Sequence, residues 1–244
     1  MKFVIIATIG ILALSASPAS ADCKTPPKPG VDWSGCTKKL IMLPGARLKQ
    51  ANLTRTDLTS TDLGNAMLDR ANLDEANLTR ASLISASLAG ASLRKTYGTR
   101  TNLSGAKLVG ADLTAVEFYR ANFAGANLSG AKLTKSGLPR TDFTGANMSG
   151  TDLSKSDAIR CSFADANLTS ADFTYAIIAR ASFAGANLKG ADWTKAYLYR
   201  TDLTGTDLTG VIGLQQNQLA EACGDGTTKL PPGLTAPNWW PCSE

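Results

Sequence analysis

Large apolar residues recur at every fifth position along most of the chain, from about Leu43 to Leu208, without an insertion or a deletion. A small residue precedes each of them by two positions, as Ala181 precedes Phe183. A period of five fits neither the 3.6-residue period of an amphipathic helix nor the simple alternation of a half-buried strand. The pattern therefore predicts stacked short repeats in which the small and the large residue of each repeat face a common core.

A second regularity has four times this period. Seven arginines follow one another at intervals of 20 residues: Arg80, Arg100, Arg120, Arg140, Arg160, Arg180 and Arg200. Lysines share another such column, at Lys95, Lys135, Lys155 and Lys195, and glycines occupy most of the two remaining columns. The interval of 20 predicts that four repeats form one coil, and that residues 20 apart stack at about 4.8 Å, the spacing of paired strands.

The repeat resembles the pentapeptide-repeat family, most clearly where Ala181-Ser-Phe-Ala-Gly is followed by Ala186-Asn-Leu-Lys-Gly. The family consensus is a small residue, then Asn or Asp, then Leu or Phe, then two polar residues. The resemblance implies an all-β fold, a right-handed quadrilateral parallel β-helix solenoid with one pentad on each of four sides. We assign the β-helix to residues 43–210.

Two central positions of the repeat hold small residues, Gly98 and Ala158, and Pro139 directly follows a third central residue. A missing large side chain leaves a cavity unless a neighbour fills it. We expect a dent or bend at these positions, with Tyr97 as a side chain that could fill the space.

The N-terminus predicts a signal peptide over residues 1–21. Lys2 precedes an apolar run at residues 3–14, and an Ala-Ser-Ala motif follows as the cleavage site. The run is shorter than the roughly 20 apolar residues of a membrane span, and Asp22 before Cys23 argues against a lipid anchor. We expect an exported protein, periplasmic or secreted, without a membrane span.

Both ends of the mature chain depart from the repeat and predict caps, at residues 22–42 and 211–244. Within the C-terminal cap, residues 215–222 have helix-forming character before a glycine. The pair Trp239-Trp240 could form a binding or dimer surface, but we favour its folding back over the last coil. We expect the caps to keep the protein monomeric.

Export permits disulfides, and four of the five cysteines flank the predicted caps. The simplest pairing is two local bonds, Cys23–Cys36 and Cys223–Cys242. The fifth, Cys161, occupies a small-residue position of the repeat. We expect it to be buried in place of alanine; a reactive thiol is the alternative.

Several kinds of chemistry are excluded or disfavoured. The chain has no histidine, which excludes His-based catalytic triads and His metal ligands. No phosphate-binding loop or isolated carboxylate pair stands outside the repeat. A column of aspartates, Asp112, Asp152, Asp172 and Asp192, could suggest a calcium site, but Lys132 interrupts it, and pairing with the lysine column is the simpler interpretation. We predict no enzyme, no metal and no cofactor.

The arginine column is the candidate functional site. Fewer carboxylates accompany it than accompany the lysine column, and a regular row of guanidinium groups suits an acidic protein or a polyanion. The alternative is a solvated face that was inherited by duplication of coils. Tyrosines near the column would suit a carbohydrate or nucleic acid: Tyr97, Tyr119, Tyr197 and Tyr199.

These observations predict a non-catalytic structural or interaction scaffold of the cell envelope that displays a basic edge. The family resemblance offers an alternative, because its best-known members mimic DNA in shape and negative charge and bind DNA gyrase to confer quinolone resistance. The signal peptide and the net charge of +5 both oppose that role here.

Overall fold

The computed structural model describes residues 21–241. Parallel β-bridges join residues 20 positions apart, beginning with Asp32 and Asn52 and continuing to Asp192 and Ile212. Each pentad contributes one bridge, so four pentads complete a coil with four sides, as the interval of 20 predicted. Within the described residues every bridge is isolated, because each side of a coil is too short for a longer strand.

A tight turn joins each pentad to the next. The N–H of Ala81 donates to the carbonyl of Leu78 (2.8 Å), and Arg80 between them has φ 58°. A positive φ at this place is that of the third residue of a type II turn. Glycine adopts it without steric strain, as at Gly125 (φ 64°), whereas other residues are strained there. The turn therefore explains why glycine recurs at the fifth position on two sides.

Asparagine and aspartate at the second position of the pentads stabilise these turns. The Oδ1 atom of Asn127 accepts the backbone N–H of Ser129 (3.1 Å), and that of Asp152 accepts the N–H of Ser154 (2.9 Å). The same contact recurs along the solenoid, which explains the preference for these residue types through local hydrogen bonding.

One continuous hydrophobic core fills the solenoid. Four phenylalanines of one core column stack ring on ring, with centroid distances of 5.1 Å for Phe123–Phe143, 5.2 Å for Phe143–Phe163 and 4.9 Å for Phe163–Phe183. Hydroxyls at small positions are buried too, but they are satisfied: Thr101 Oγ1 donates to a carbonyl of the coil below (2.7 Å). Alanine and threonine are therefore both compatible with these sites.

Phe118 fills the space that Gly98 leaves open. A Cβ atom added to Gly98 would lie 2.0 Å from the ring of Phe118, which belongs to the next coil. Tyr97, which we expected to fill this space, is instead 56% exposed. The expectation was wrong because Tyr97 is a second-position residue and its side chain points outward, whereas the residue 20 positions above Gly98 points into the core.

Regular pairing begins earlier than the boundary at residue 43 that we predicted. Asp32 and Thr37 already bridge to the second coil, and Val31 and Trp33 are buried. Residues 31–42 thus belong to the first coil rather than to a separate cap, because a single irregular pentad does not interrupt the backbone pairing.

The segment before this coil packs against its open end. Cys23 and Cys36 form the predicted disulfide. Trp33 Nε1 donates to the carbonyl of Thr25 (2.9 Å), and Lys38 Nζ donates to the carbonyl of Cys23 (2.7 Å) and lies 3.9 Å from the centroid of the Trp33 ring. Lys38 occupies a central position, and these contacts satisfy its ammonium group.

The last coil is wider than the others. Asp202 pairs with Cys223 and Asp207 with Lys229, so the interval exceeds 20 residues. A short helix, α1 (Gln216–Leu219), occupies part of the added length and is shorter than the predicted 215–222. No helix of the described chain is long and apolar enough to cross a membrane.

The remaining predictions concern the chain ends. Cys223 is disulfide-bonded, and its predicted partner, Cys242, lies outside the described residues. So does the predicted signal peptide, except for Ala21. Trp240 lies against Gly224 and donates from Nε1 to the carbonyl of Ala222 (2.8 Å), so this tryptophan packs on the last coil as expected.

Candidate functional site

The seven arginines form one exposed column along a corner of the solenoid. Each occupies the fifth position of its pentad, with φ between 52° and 59°. Backbone hydrogen bonds hold this corner in register: the N–H of Arg140 donates to the carbonyl of Ile159 (2.9 Å), and that of Arg160 to the carbonyl of Ala179 (2.9 Å). Successive arginines therefore stack in register at the backbone, about 4.8 Å apart.

No arginine of the column has a carboxylate partner within residues 21–241. The ion pairs described there lie elsewhere: Lys49–Asp69, Arg55–Glu75, Arg94–Asp112 and Lys229–Asp207. Two column members lie over aromatic rings instead, Arg120 at 5.2 Å from the Tyr119 centroid and Arg180 at 5.9 Å from that of Tyr199. The guanidinium groups thus remain available to an external anion.

The lysine column has other contacts than we expected. The aspartates of its side accept backbone N–H groups of their own turns, as Asp172 accepts that of Thr174 (2.7 Å). Asp112 lies 3.9 Å from Arg94 rather than near a lysine. Within residues 21–241, no lysine of the column therefore forms an ion pair with an aspartate of its side, because the turn holds these carboxylates against their own backbone.

Lys195 contacts a ring rather than a carboxylate. Its Nζ atom donates to Tyr175 Oη (2.8 Å) and lies 5.0 Å from the ring centroid. This hydrogen bond, together with the positive charge, lowers the pKa of Tyr175 and raises that of Lys195.

The fourth position of the pentads distinguishes the two columns, a difference that we did not predict. Beside the upper arginines, those from Arg120 to Arg200, the fourth position is mostly apolar: Tyr119, Pro139, Ile159, Ala179 and Tyr199. On the side of the lysine column it is Arg94 beside Lys95 and is hydroxylic from residue 114 onward: Thr114, Thr134, Ser154, Thr174 and Thr194. Seven residues of this side line a shallow groove of about 290 Å³: Pro139, Arg140, Ile159, Arg160, Ala179, Arg180 and Tyr199. The same interval of 20 that revealed the arginines could have revealed this column.

The groove leads to an open cleft at the C-terminal end, with a volume of about 480 Å³. Tyr197 and Tyr199 stand side by side in it, with centroids 6.3 Å apart and planes 7° from parallel. Arg200, Glu221 and Trp239 also line the cleft, and Trp239 is 54% exposed. Of the tryptophan pair, Trp239 therefore contributes to the surface while Trp240 packs.

The remaining candidate groups are inert. Cys161 is buried as expected, its Sγ donates to the carbonyl of Leu138 (3.0 Å), and burial raises the pKa of the thiol. A buried thiol with a raised pKa is a poor nucleophile. Residues 21–241 contain no group of three or more carboxylate, Cys or His side chains placed to hold a metal ion.

A family model described as pentapeptide repeats matches most of the solenoid, at residues 43–74, 76–114, 99–134, 121–157, 146–179 and 176–212. The matched segments span more than half of the chain and coincide with the coils described above. The chain therefore belongs to the pentapeptide-repeat family.

Solved structures share this fold. HetL of the cyanobacterium Nostoc sp. strain PCC 7120, a pentapeptide-repeat protein involved in the regulation of heterocyst differentiation, is 29% identical, with a TM-score of 0.63 over 76% of this chain and 86% of its own. Full-length QnrB1, a plasmid-mediated fluoroquinolone resistance protein, is 17% identical, with a TM-score of 0.60 over 78% and 94%. Both are right-handed quadrilateral β-helices. A search of the curated proteins finds no significant match.

Proposed function

We propose that this protein is a non-catalytic scaffold of the cell envelope whose arginine column binds an acidic protein or a polyanion. One observation carries the proposal: seven exposed arginines lie in one column, and none has a carboxylate partner among the described residues. Like charges in a row repel one another, and an anion bound along the row would remove that repulsion and accept charge-assisted hydrogen bonds.

The envelope location rests on the N-terminal sequence and on the disulfide. Residues 1–21 have the composition of a signal peptide. The disulfide between Cys23 and Cys36 links the N-terminal segment to the first coil. Such structural disulfides persist in oxidising compartments. The proposed caps at the two ends would cover the open backbone groups and keep the rod monomeric.

A DNA-mimic role is the second candidate, because QnrB1 shares the fold and is a fluoroquinolone resistance protein. A mimic of DNA needs a negative surface, whereas this chain has a net charge of +5 and a column of arginines. A role in regulation, as for HetL, is compatible with a scaffold that acts by binding.

The test is the salt dependence of binding between the mature chain and a panel of polyanions: heparin, lipopolysaccharide, polyglutamate, DNA and polygalacturonate. The variant changes Arg120, Arg140, Arg160 and Arg180 to Gln. Its matched control changes Lys95, Lys135, Lys155 and Lys195 to Gln, which removes the same charge from the same turn position. Gln50 already adopts this conformation, with φ 56°, so both variants should fold.

We expect the arginine variant to lose binding and the lysine variant to keep most of it. The slope of log affinity against log salt should fall by roughly 0.7 for each arginine that contacts the anion, the value for single-stranded polyanions. Equal losses in the two variants would show that net charge alone is responsible, and unchanged binding in both would leave the arginine column without the proposed role.

A further inference from the structure

The C-terminal half of the arginine side, from Tyr119 to Arg200, combines charge with apolar surface. The N-terminal half, up to Arg100, does not. Below Arg100 the fourth position holds polar residues, ending with Thr79 and Thr99, whereas from Tyr119 upward it is apolar or aromatic. Pro139 and Ile159 are half-buried in the groove wall and Ala179 is buried. A purely ionic partner gains nothing from such a wall, so the surface suits an anion that also presents an apolar face.

The cleft that continues the groove adds aromatic platforms. Tyr197 and Tyr199 are 46% and 42% exposed, and Trp239 is 54% exposed. Flat rings that remain exposed beside an arginine can stack on the C–H face of a sugar ring or on a base. Glu221 lies in the same cleft as Arg200. Its carboxylate can accept hydrogen bonds from hydroxyl groups, which every sugar ring presents.

The spacing of the column differs from that of two common linear anions. Its arginines repeat at about 4.8 Å, the spacing of stacked strands. The phosphates of one strand of B-DNA advance by about 3.4 Å along the axis, and side chains on one face of an extended peptide repeat at about 6.6 Å. A uronic acid polymer carries one carboxylate on each sugar ring, so a chain that lies along the column can present carboxylates to several guanidinium groups.

We propose that the groove and the cleft bind an acidic polysaccharide composed of uronic acid units. This inference rests on the proposed function of the arginine column and names its partner. Arg160, Arg180 and Arg200 bind the carboxylates, for which the planar guanidinium fork is suited. Tyr199 and Trp239 stack on the sugar rings, and the hydroxyl groups donate to Glu221.

The experiment measures binding of the full mature chain to polygalacturonate oligomers by titration calorimetry. The fully methyl-esterified oligomer serves as a neutral probe, and oligothymidylate serves as a nucleic acid probe. Two variants carry the test. One changes Tyr199 and Trp239 to Ser, which removes the stacking platforms and keeps every charge. The control changes Tyr175, which is 49% exposed on the lysine side, to Ser.

We expect the double variant to bind polygalacturonate about tenfold more weakly, as the loss of aromatic stacking should cause. The Tyr175→Ser control should bind like the unchanged protein, and the methyl ester should not bind. Circular dichroism of each variant checks that the solenoid is intact, and an unfolded Tyr199→Ser/Trp239→Ser variant would be replaced by Tyr199→Ser alone, with the same criterion.

The other outcomes separate the inference from the proposed function. If the arginine-to-glutamine variant loses binding but the aromatic variant does not, the column binds anions and the polysaccharide site is refuted. Tighter binding of oligothymidylate than of polygalacturonate would assign the surface to nucleic acid and overturn the inference. Equal binding of the methyl ester would also overturn it, and retention of binding without the arginines would overturn both proposals.

Discussion

The lysine side and the arginine side of the solenoid have the same backbone conformation but differ in their core residues and in their surface residues. The core column of the lysine side is regular, with leucines between Trp33 and Phe173. That of the arginine side includes Lys38, Gly98 and Ala158. Outside, hydroxylic residues flank Lys135, Lys155 and Lys195, whereas apolar residues flank the arginines from Arg120 to Arg200. The repeat thus constrains the backbone equally on both sides, and departures from it concentrate on one side, where departures from local rules are most often functional.

The irregular core gives the largest expected effect. Replacing Phe118 by Ala should reduce the free energy of unfolding by about 3–5 kcal/mol. Its ring also fills the space beside Gly98. Glycine has no side chain that could move into the cavity left by the substitution. Urea denaturation measures the change, with Leu113→Ala on the lysine side as the comparison. A smaller cost for Phe118→Ala than for Leu113→Ala would mean that the arginine side tolerates cavities better than its packing suggests.

The arginine and lysine sides both have residues other than glycine in the strained turn conformation. Substituting a glycine at one of the other corners shows how much this strain costs. Gly145 has φ 65°, and a Cβ atom added there meets nothing within 4 Å. Gly145→Ala should therefore destabilise the protein by about 1–2 kcal/mol through strain alone. Arg140→Ala keeps a Cβ atom in the same conformation and should change the free energy of unfolding by less than about 0.5 kcal/mol. Thermal unfolding of both variants, if it gave equal shifts, would contradict this account.

The flanking residues can be exchanged to sharpen the comparison of the two surfaces. Changing Pro139 and Ile159 to Thr makes the arginine side resemble the lysine side and should weaken polygalacturonate binding about threefold, since part of the apolar contact is lost. The converse change of Thr134 and Ser154 to Ile should leave binding unchanged. Calorimetric titration gives both values, and a gain of binding in the converse variant would show that apolar flanks suffice beside any cationic column.

The smallest expected effect is a loss of stability at low pH. Acid protonates carboxylates, whereas the arginine and lysine columns stay charged. The Thr227 hydroxyl and neighbouring backbone N–H groups lower the pKa of Asp225 to about 2. Because the folded pKa lies below the unfolded value of about 3.9, this contribution is complete above about pH 5 and is lost as the pH falls through about 2. The melting temperature should decline over that range, and less steeply in Asp225→Asn. Parallel declines in the two proteins would contradict the assignment.

Most of the fold could be predicted from the repeat. The interval of five located the core residues, and the interval of 20 located the coils and the arginine column, because each coil repeats the environment of the one before it. The boundary at residue 43 was placed too late, since a single lysine at a central position, Lys38, suggested a break that the backbone pairing does not show.

The contacts of individual side chains were less predictable. Nothing in the pattern indicated that Asp172 would bind its own turn rather than a lysine, because both arrangements place the carboxylate on the same side. The separate roles of Trp239 and Trp240 also depend on how a nonrepetitive segment returns over the last coil. The apolar flank of the arginines was present in the sequence, but only its position in the folded groove gave it meaning.

The sequence by itself determined the architecture, since a strict repeat leaves each coil one way to bury its small and large residues against its neighbours. It also determined the column of arginines, because residues 20 apart must stack. The tertiary structure decided which charges remain unpaired, which cavity Phe118 fills and which aromatic rings stay exposed. Those outcomes depend on side-chain geometry between coils and at the chain end, where several arrangements satisfy the same pattern and only packing selects one.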